Sequence, residues 1–371
     1  MRADLAGLTF TEFSTWARGV VGHSDRFHLP LYRQVVLEGR FAPGDSETWR
    51  EAEAGSPGVV ARLTAAAAER QRPEVVDARS SEDPLHGRTT KLVMRLADGL
   101  TVESVLIPMG GSSRQAATHY TLCVSSQVGC KMGCSFCHTA RMGLVRQLAA
   151  HEIVGQITAA AAHTGVRVRN VVFMGMGEPM DNLEAVAQAV RVFTDTAGCK
   201  LAHRHVTIST VGRADGIARL AALGLDRVNL AVSLTAADDA LRSRLMPVNR
   251  VTDLATLKAA LLAHPLPADR RILVSYVLLG GVTDGAADAD RLIAWLTGMR
   301  ALVNLIPFNE FPGSGFQRPD DATILAFRER LDAAGVHVRL RLTKGDGVMA
   351  ACGQLGDLAL RRVTPRAGLA S

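Results

Sequence analysis

From about residue 119 the chain settles into a repeat that few architectures can satisfy: a short apolar run, a loop, then a helix-length stretch. The strand-like runs are HYTLCVSS, NVVFMGM (170–176), HVTIST (205–210), RVNLAVSL (227–234), RILVSYVLL (271–279), LVNLIP (302–307) and VHVRLRL (336–342). Between most of them lie helix-like segments such as HEIVGQITAAAAH, LEAVAQAVRVF and ADRLIAWLTGM. Strands that alternate with helices cover both faces of a sheet, which points to parallel α/β architecture. With about six or seven such units, an incomplete barrel suits the pattern as well as an open sheet does, and in both the functional residues belong at the carboxyl ends of strands. The expectation is therefore an α/β fold with a partial (β/α)6-type barrel over 119–358. Ahead of it, FTEFSTWARGVV and GVVARLTAAAAERQ have helical spacing broken by HLP, APGDS and AGSPG, so 1–88 is expected to be a small helical domain. KLVMRLADGLTVESVLIP alternates on both sides of Asp98-Gly99, which predicts a β-hairpin extension within 89–118. Residues 359–371 read as a tail.

Composition narrows the setting. The chain has 371 residues, 47% of them hydrophobic, enough for a large core and too many for a disordered chain. No apolar run approaches the roughly 18 residues of a membrane span, and MRADLAGLTF lacks the apolar stretch of a secretory leader. A cytoplasmic protein with no membrane association is expected. The net charge of +6 falls wholly beyond residue 100 and permits a polyanionic partner.

Four of the six cysteines crowd together at Cys123, Cys130, Cys134 and Cys137; Cys199 and Cys352 stand apart. In a reducing compartment such a cluster binds metal or does chemistry. Cys130-Lys131-Met132-Gly133-Cys134-Ser135-Phe136-Cys137 is a C-x3-C-x2-C loop after a strand. Three thiolates at this spacing hold three irons of a [4Fe–4S] cluster and leave the fourth iron open to a ligand. Structural zinc, with the adjacent His138 as fourth ligand, is the competing reading, and with it a zinc-containing RNA-binding module.

This loop resembles that of the radical S-adenosylmethionine (SAM) superfamily. With Leu122-Cys123-Val124-Ser125-Ser126-Gln127, Gly175-Met176-Gly177-Glu178-Pro179 and Ala351-Cys352-Gly353-Gln354-Leu355, plus VTIST, AVSL and NLIPFN, the chain is similar to the RlmN/Cfr family over about 90–358. That family methylates C2 or C8 of an adenine in RNA. The resemblance implies one [4Fe–4S] cluster on Cys130, Cys134 and Cys137, and two SAM molecules consumed per methylation. One SAM methylates Cys352. A radical from the second abstracts hydrogen from that S-methyl group, and the methylene radical adds to the base. Cys123 then releases the product through a transient disulfide with Cys352. Glu103 is the implied proton acceptor, and Gly177, Glu178, Ser209, Ser233, Leu234, Thr235 and Asn309 the implied SAM contacts. Implied partners are ribosomal or transfer RNA, a one-electron donor such as flavodoxin or ferredoxin, and a thiol reductant, with a monomeric protein. The same transfer to a heteroaromatic carbon of a metabolite or peptide is the enzymatic alternative.

Two departures accompany the resemblance. Ser233-Leu234-Thr235 stands where the family usually has Ser-Leu-His, and residues 1–85 lack the family's basic RNA-gripping sequence. Read from residues alone, Ser209 and Ser233 are also plausible helix caps, Glu103 a solvated carboxylate, and Cys199 structural. Candidate RNA contacts are His337, Arg339 and Arg341 on one face of VHVRLRL, with Arg141, Arg146, Lys200, Arg204, Arg213, Arg361 and Arg362.

Overall fold

The computed structural model describes residues 2–22, 25–68, 71–83, 87–109, 119–341, 349 and 353–356, with Asp25 and Arg26 described by backbone only. Cys352, Leu342, Arg361, Arg362 and the expected tail lie outside the described residues. The N-terminal part forms α1 (Phe10–Val21), α2 (Asp25–Arg33), α3 (Glu47–Gly55) and α4 (Val59–Ala66). Then come β1 (Glu74–Asp83), β2 (Gly87–Arg95), β3 (Thr101–Met109) and β4 (His119–Cys123). A small hairpin follows, β5 (Gln127–Cys130) with β6 (Gly143–Gln147). The remaining elements are α5 (Ala150–Thr164), β7 (Val168–Phe173), α6 (Leu183–Thr194), β8 (Val206–Thr210), α7 (Ala214–Arg219), β9 (Asn229–Ser233), α8 (Asp239–Leu245), α9 (Leu254–Ala263), β10 (Ile272–Leu278), α10 (Ala286–Leu296), β11 (Ala301–Pro307), α11 (Asp321–Ala333) and β12 (Val338–Leu340).

Ten of these strands form one sheet in the order β1-β2-β3-β4-β7-β8-β9-β10-β11-β12. From β4 to β12 every neighbour is parallel, as helical crossovers require. The expected α/β barrel is thus present, with the sheet left open between its two end strands. The Asp98-Gly99 turn does close a hairpin, β2 against β3. It is part of an antiparallel meander that starts a strand earlier, in β1, which the helical reading of residues 1–85 did not foresee. β2 begins at Gly87, so the sheet runs straight through the expected 88/89 boundary. β1 escaped notice because EVVDARSSED is polar on both faces and mostly solvent-facing, with no apolar alternation to read.

One continuous core joins the N-terminal helices to the barrel: Phe13, Tyr32 and Trp49 belong to the same buried cluster as Val171, Ile208 and Val274. The joint is polar as well as apolar. Asp195, after α6, accepts hydrogen bonds from Phe10 N (2.6 Å), Tyr32 Oη (2.9 Å) and Ala197 N (2.8 Å). Cys199 is structural here: its thiol points at the Val36 carbonyl (3.5 Å), and burial pushes its pKa up to about 12. Removing Asp195 strands three donors. Asp195→Ala should lower unfolding free energy by about 2–3 kcal/mol and Tyr32→Phe by about 1 kcal/mol, read from urea unfolding of both variants.

Candidate active site

The carboxyl ends of β4 and β7 are bound to each other by two motifs. Val124 N donates to Val172 O (2.9 Å) and Gly175 N to Val124 O (3.1 Å). Ser125 Oγ donates to the Glu103 carbonyl (2.7 Å) and accepts from Met176 N (2.9 Å). Gln127 Oε1 accepts from Glu178 N (2.8 Å). Gln156 on α5 completes the tie, accepting from Ser125 N and Ser104 Oγ (2.8 Å each). A Cβ on Gly175 would lie 2.7 Å from Val124 O, and one on Gly177, at φ +107°, 2.7 Å from Gln127 Cβ. Only glycine lets these backbones meet.

This tie delivers the chain into β5 and the cysteine loop, which the β5–β6 hairpin closes. Cys130, Cys134 and Cys137 all line one cavity, backed by Met132, Phe136, Met246 and Phe308. Burial pushes the Cys130 thiol up to about 12 and Cys134 well above the ordinary value. Thiolates in such a place need cations beside them, which iron supplies. Among the described residues, no three His, Cys, Asp or Glu side chains are grouped as one metal ion would require. His138 packs edge-on against Phe311 (5.3 Å between centroids) and is not part of the cavity wall. Three thiols on one cavity wall, with His138 outside it, suit a cluster held by the cysteines alone.

The facing wall is built from strand ends. Ser209 follows from β8, Ser233 from β9 and Asn309 from the segment after β11, with Gly177 and Glu178 beside them. Neither serine caps a helix: α7 has Arg213 at its N-cap and α8 has Asp238. Ser275, opposite Ser233 in the β9–β10 register, also lines the cavity. Its strand was legible in the sequence; the register that brings it to Ser233 was not.

Thr235 departs most from ordinary backbone geometry. Its φ is +59°, and Ala236 N reaches back to Leu234 O (2.7 Å) in a three-residue turn. A β-branched residue there is strained. Its hydroxyl is fully buried on the cavity wall and has no hydrogen-bond partner among the described residues. Leu234, by contrast, is buried in the main core and does not line the cavity.

Glu178 is 1% exposed and accepts from Met180 N (3.0 Å) and Val211 N (2.8 Å), so its carboxylate braces the loop after β8 as well as facing the cavity. Burial raises its pKa to about 7. Nearby, fully buried Arg242 on α8 donates to the carbonyls of Val211 (2.6 Å), Leu234 (3.2 Å) and Ser233 (3.3 Å) and to Asn249 Oδ1 (2.7 Å); burial lowers its pKa to about 10. It ties the ends of β8 and β9 together. No motif in the sequence signalled it.

Glu103 is buried, not solvated. One carboxylate oxygen lies 3.3 Å from Lys91 Nζ and the other accepts from Gly356 N (2.9 Å). Cys123, 6% exposed, pairs in register with Val172, which pairs with Thr207. That row lies one step below the row of Ser209, on the same face, and Cys123 itself is not in the cavity wall. Gly353, the covalent neighbour of Cys352, is in that wall, and its carbonyl accepts from His138 N (2.7 Å).

Residues 124–293 match the radical SAM superfamily model. A radical SAM methyltransferase from Sphaerobacter thermophilus has the same fold, with a TM-score of 0.81 at 34% identity, covering 96% of this chain and 99% of that one. The dual-specificity RNA methyltransferase RlmN of Syntrophobacter fumaroxidans is 46% identical over 270 residues, 72% of this chain and 76% of the relative. The RlmN of Nitratiruptor sp. is 42% identical over 294 residues, 77% and 81% respectively. The chain is a radical SAM enzyme by fold and cysteine loop. Within that class it belongs to the RlmN family of methyltransferases, whose cofactors are a [4Fe–4S] cluster and SAM.

Two outcomes test this site. Because the folded Glu178 carboxyl sits above its ordinary 4.5, its contribution to stability is fully present below pH 4.5 and is lost as pH rises through about 7. Urea unfolding of the cluster-free chain should show wild type losing about 3 kcal/mol more than Glu178→Gln between pH 4.5 and 7.5. Thr235→Gly relieves the positive φ and should raise stability by about 1 kcal/mol, while weakening SAM binding in equilibrium dialysis of the reconstituted protein.

Proposed function

We propose that this protein methylates a ring carbon of an adenine in RNA by radical SAM chemistry. The observation that carries the reading is the convergence, on one cavity, of three thiols (two of them buried), a buried hydroxyl without a partner among the described residues, and the residue that follows Cys352. When bound, the cluster and SAM supply the electron, the methyl group and the means of hydrogen abstraction. The chain supplies the rest. Cys130, Cys134 and Cys137 hold three irons. Glu178, Ser209, Ser233, Thr235 and Asn309, with the backbone at Gly177, orient SAM, while Leu234 shapes the turn that presents Thr235. Met132, Phe136 and Phe308 keep water from the reacting atoms.

In this reading Cys352 carries the methyl group to the base. An adenine C2 or C8 is too electron-poor to displace a methyl group itself, so a sulfur carrier is needed. Cys123 then attacks the sulfur that joins Cys352 to the base's methylene: the S–S bond forms as the S–C bond breaks. The electron pair leaves on the carbon, which takes up a proton to become the methyl group, and the disulfide is returned to two thiols by a thiol reductant. Glu103, already held by Lys91 and bonded to Gly356, takes the proton released from the base. An electron donor such as flavodoxin or ferredoxin, action as a monomer and a cytoplasmic setting complete the proposal. Among the described residues no helix is long and apolar enough to cross a membrane.

Mass spectrometry of RNA from deletion and complemented strains tests the reading. A methyladenosine should vanish on deletion and return with wild type but not with Cys352→Ala. Cys123→Ala should keep its iron and accumulate an RNA–protein crosslink. An RNA modification profile unchanged by deletion would sink the RNA substrate and favour a small heteroaromatic one.

A further inference from the structure

The parallel strands begin at the end of the barrel opposite the cavity, and the residues there are overwhelmingly cationic. Arg169 is the second residue of β7, Arg204 and His205 precede β8, Arg227 precedes β9, and Arg270 and Arg271 precede β10. They lie close together. Arg169 Nη1 is 2.8 Å from His119 Nε2, His205 Nδ1 is 2.6 Å from Asn170 Oδ1, and Arg270 Nη1 donates to Asn229 Oδ1 (2.6 Å). His205 is held below the usual imidazole range by burial and then by Arg204, Arg169, Arg270 and His119. Carboxylates are fewer: Asp269 pairs with Arg270 (3.2 Å), Asp226 lies near His203, and Asp332, which lines the groove beside Arg271, pairs with Arg328 (3.3 Å). Among the described residues, Arg169, Arg204, Arg227 and Arg271 make no ion pair. Several arginines elsewhere on the surface are paired, as in Arg40 with Asp45 (2.7 Å) and Arg330 with Asp290 (2.6 Å).

The charge does not stop at the base. In register, Ser233, Ser275, Asn304 and Arg339 form one row across β9, β10, β11 and β12. Arg339 therefore shares the inner face of the serines in the cavity wall, yet it is exposed, because β12 ends the sheet. His337 stands nearer the base, and Arg341, two residues on, lines the cavity. A groove lined by Arg271, His337 and Arg339 connects base to edge. One positive track thus runs from the base of the barrel, along the free edge strand, to the cavity mouth.

We infer that this track is a second RNA-binding surface, gripping phosphates of a segment remote from the base that enters the cavity. The inference rests on the RNA reading above and adds the place where a large RNA is held. Unpaired like charges repel one another and lower stability, a cost offset when phosphates lie against them. An acidic electron carrier fits this face less well. The cysteines are at the other end of the strands, about 20 Å away by the length of β10, whereas the track leads to the place where a substrate must arrive.

The test uses full-length reconstituted protein, a fluorescein-labelled 40-nucleotide RNA hairpin and the double variant Arg169→Glu/Arg271→Glu. Binding by anisotropy should weaken at least tenfold at 100 mM KCl. The slope of log K against log salt should shrink by one or more, because each lost phosphate contact removes about 0.7–0.9. Arg169→Gln/Arg271→Gln should fall between and should melt no lower than wild type. Arg219→Glu/Arg330→Glu, which breaks paired arginines, should bind like wild type. Iron content and RNA-independent SAM cleavage with dithionite should not change. Unaltered affinity and slope in the Glu double variant would overturn the inference. So would intact RNA binding with slowed reduction by flavodoxin, which would assign the face to the electron carrier. Salt-linked binding lost in the variant, from a protein that proves to methylate no RNA, would sink the functional reading while leaving this surface in place.

Discussion

Everything at the active site depends on two backbones touching where no side chain fits. Val124 and Gly175 meet at the carboxyl ends of neighbouring strands, and the serines and glutamine that follow Cys123 bind the loop that follows β7. The contact fixes the cysteine loop to one side of the cavity and Glu178 to the other. It also explains why small and hydroxylated residues dominate both motifs. Their work is largely to satisfy backbone groups at a crossing closed to water, where an unpaired donor is expensive.

The chemistry of the cavity follows from that closure. Burial lifts two thiols, holds a carboxyl near neutrality and weakens the proton affinity of Arg242. These groups are mismatched with one another when no ligand neutralises them. Cations beside the thiols would remove part of this mismatch, and a ligand that binds only the folded cavity would couple its loading to folding stability. The strained turn at Thr235 belongs to the same balance: a conformation costly to the chain places a hydroxyl where a ligand can use it.

Recognition and catalysis are laid out at opposite ends of one sheet. The carboxyl ends of the strands hold polar groups in the cavity, and their amino ends present unpaired arginines to solvent. The edge strand β12 joins the two because it has one neighbour and leaves its inner face open. The N-terminal helices share the core of the barrel through Asp195 and Tyr32. They stabilise the barrel and bring little positive charge, consistent with phosphate contacts falling to the barrel itself.

Local information was enough for the parallel strands of the barrel and most of its helices, since period and turn chemistry act over a few residues. It was enough to mark the cysteine loop as well, because the spacing of Cys130, Cys134 and Cys137 within eight residues brings three thiols together. Pairing across the sheet was not legible: β1 carries no apolar alternation, and only its partner β2 makes it a strand. Ser275 became a cavity residue through register with Ser233, Arg242 through a helix that no pattern announced, and Glu103 a buried ion pair through the strand beside it. The basal arginines are scattered over more than a hundred residues of sequence, and they become one surface only because parallel strands start at the same end. Such relations depend on distances between segments far apart in the chain, which packing sets and local propensity does not.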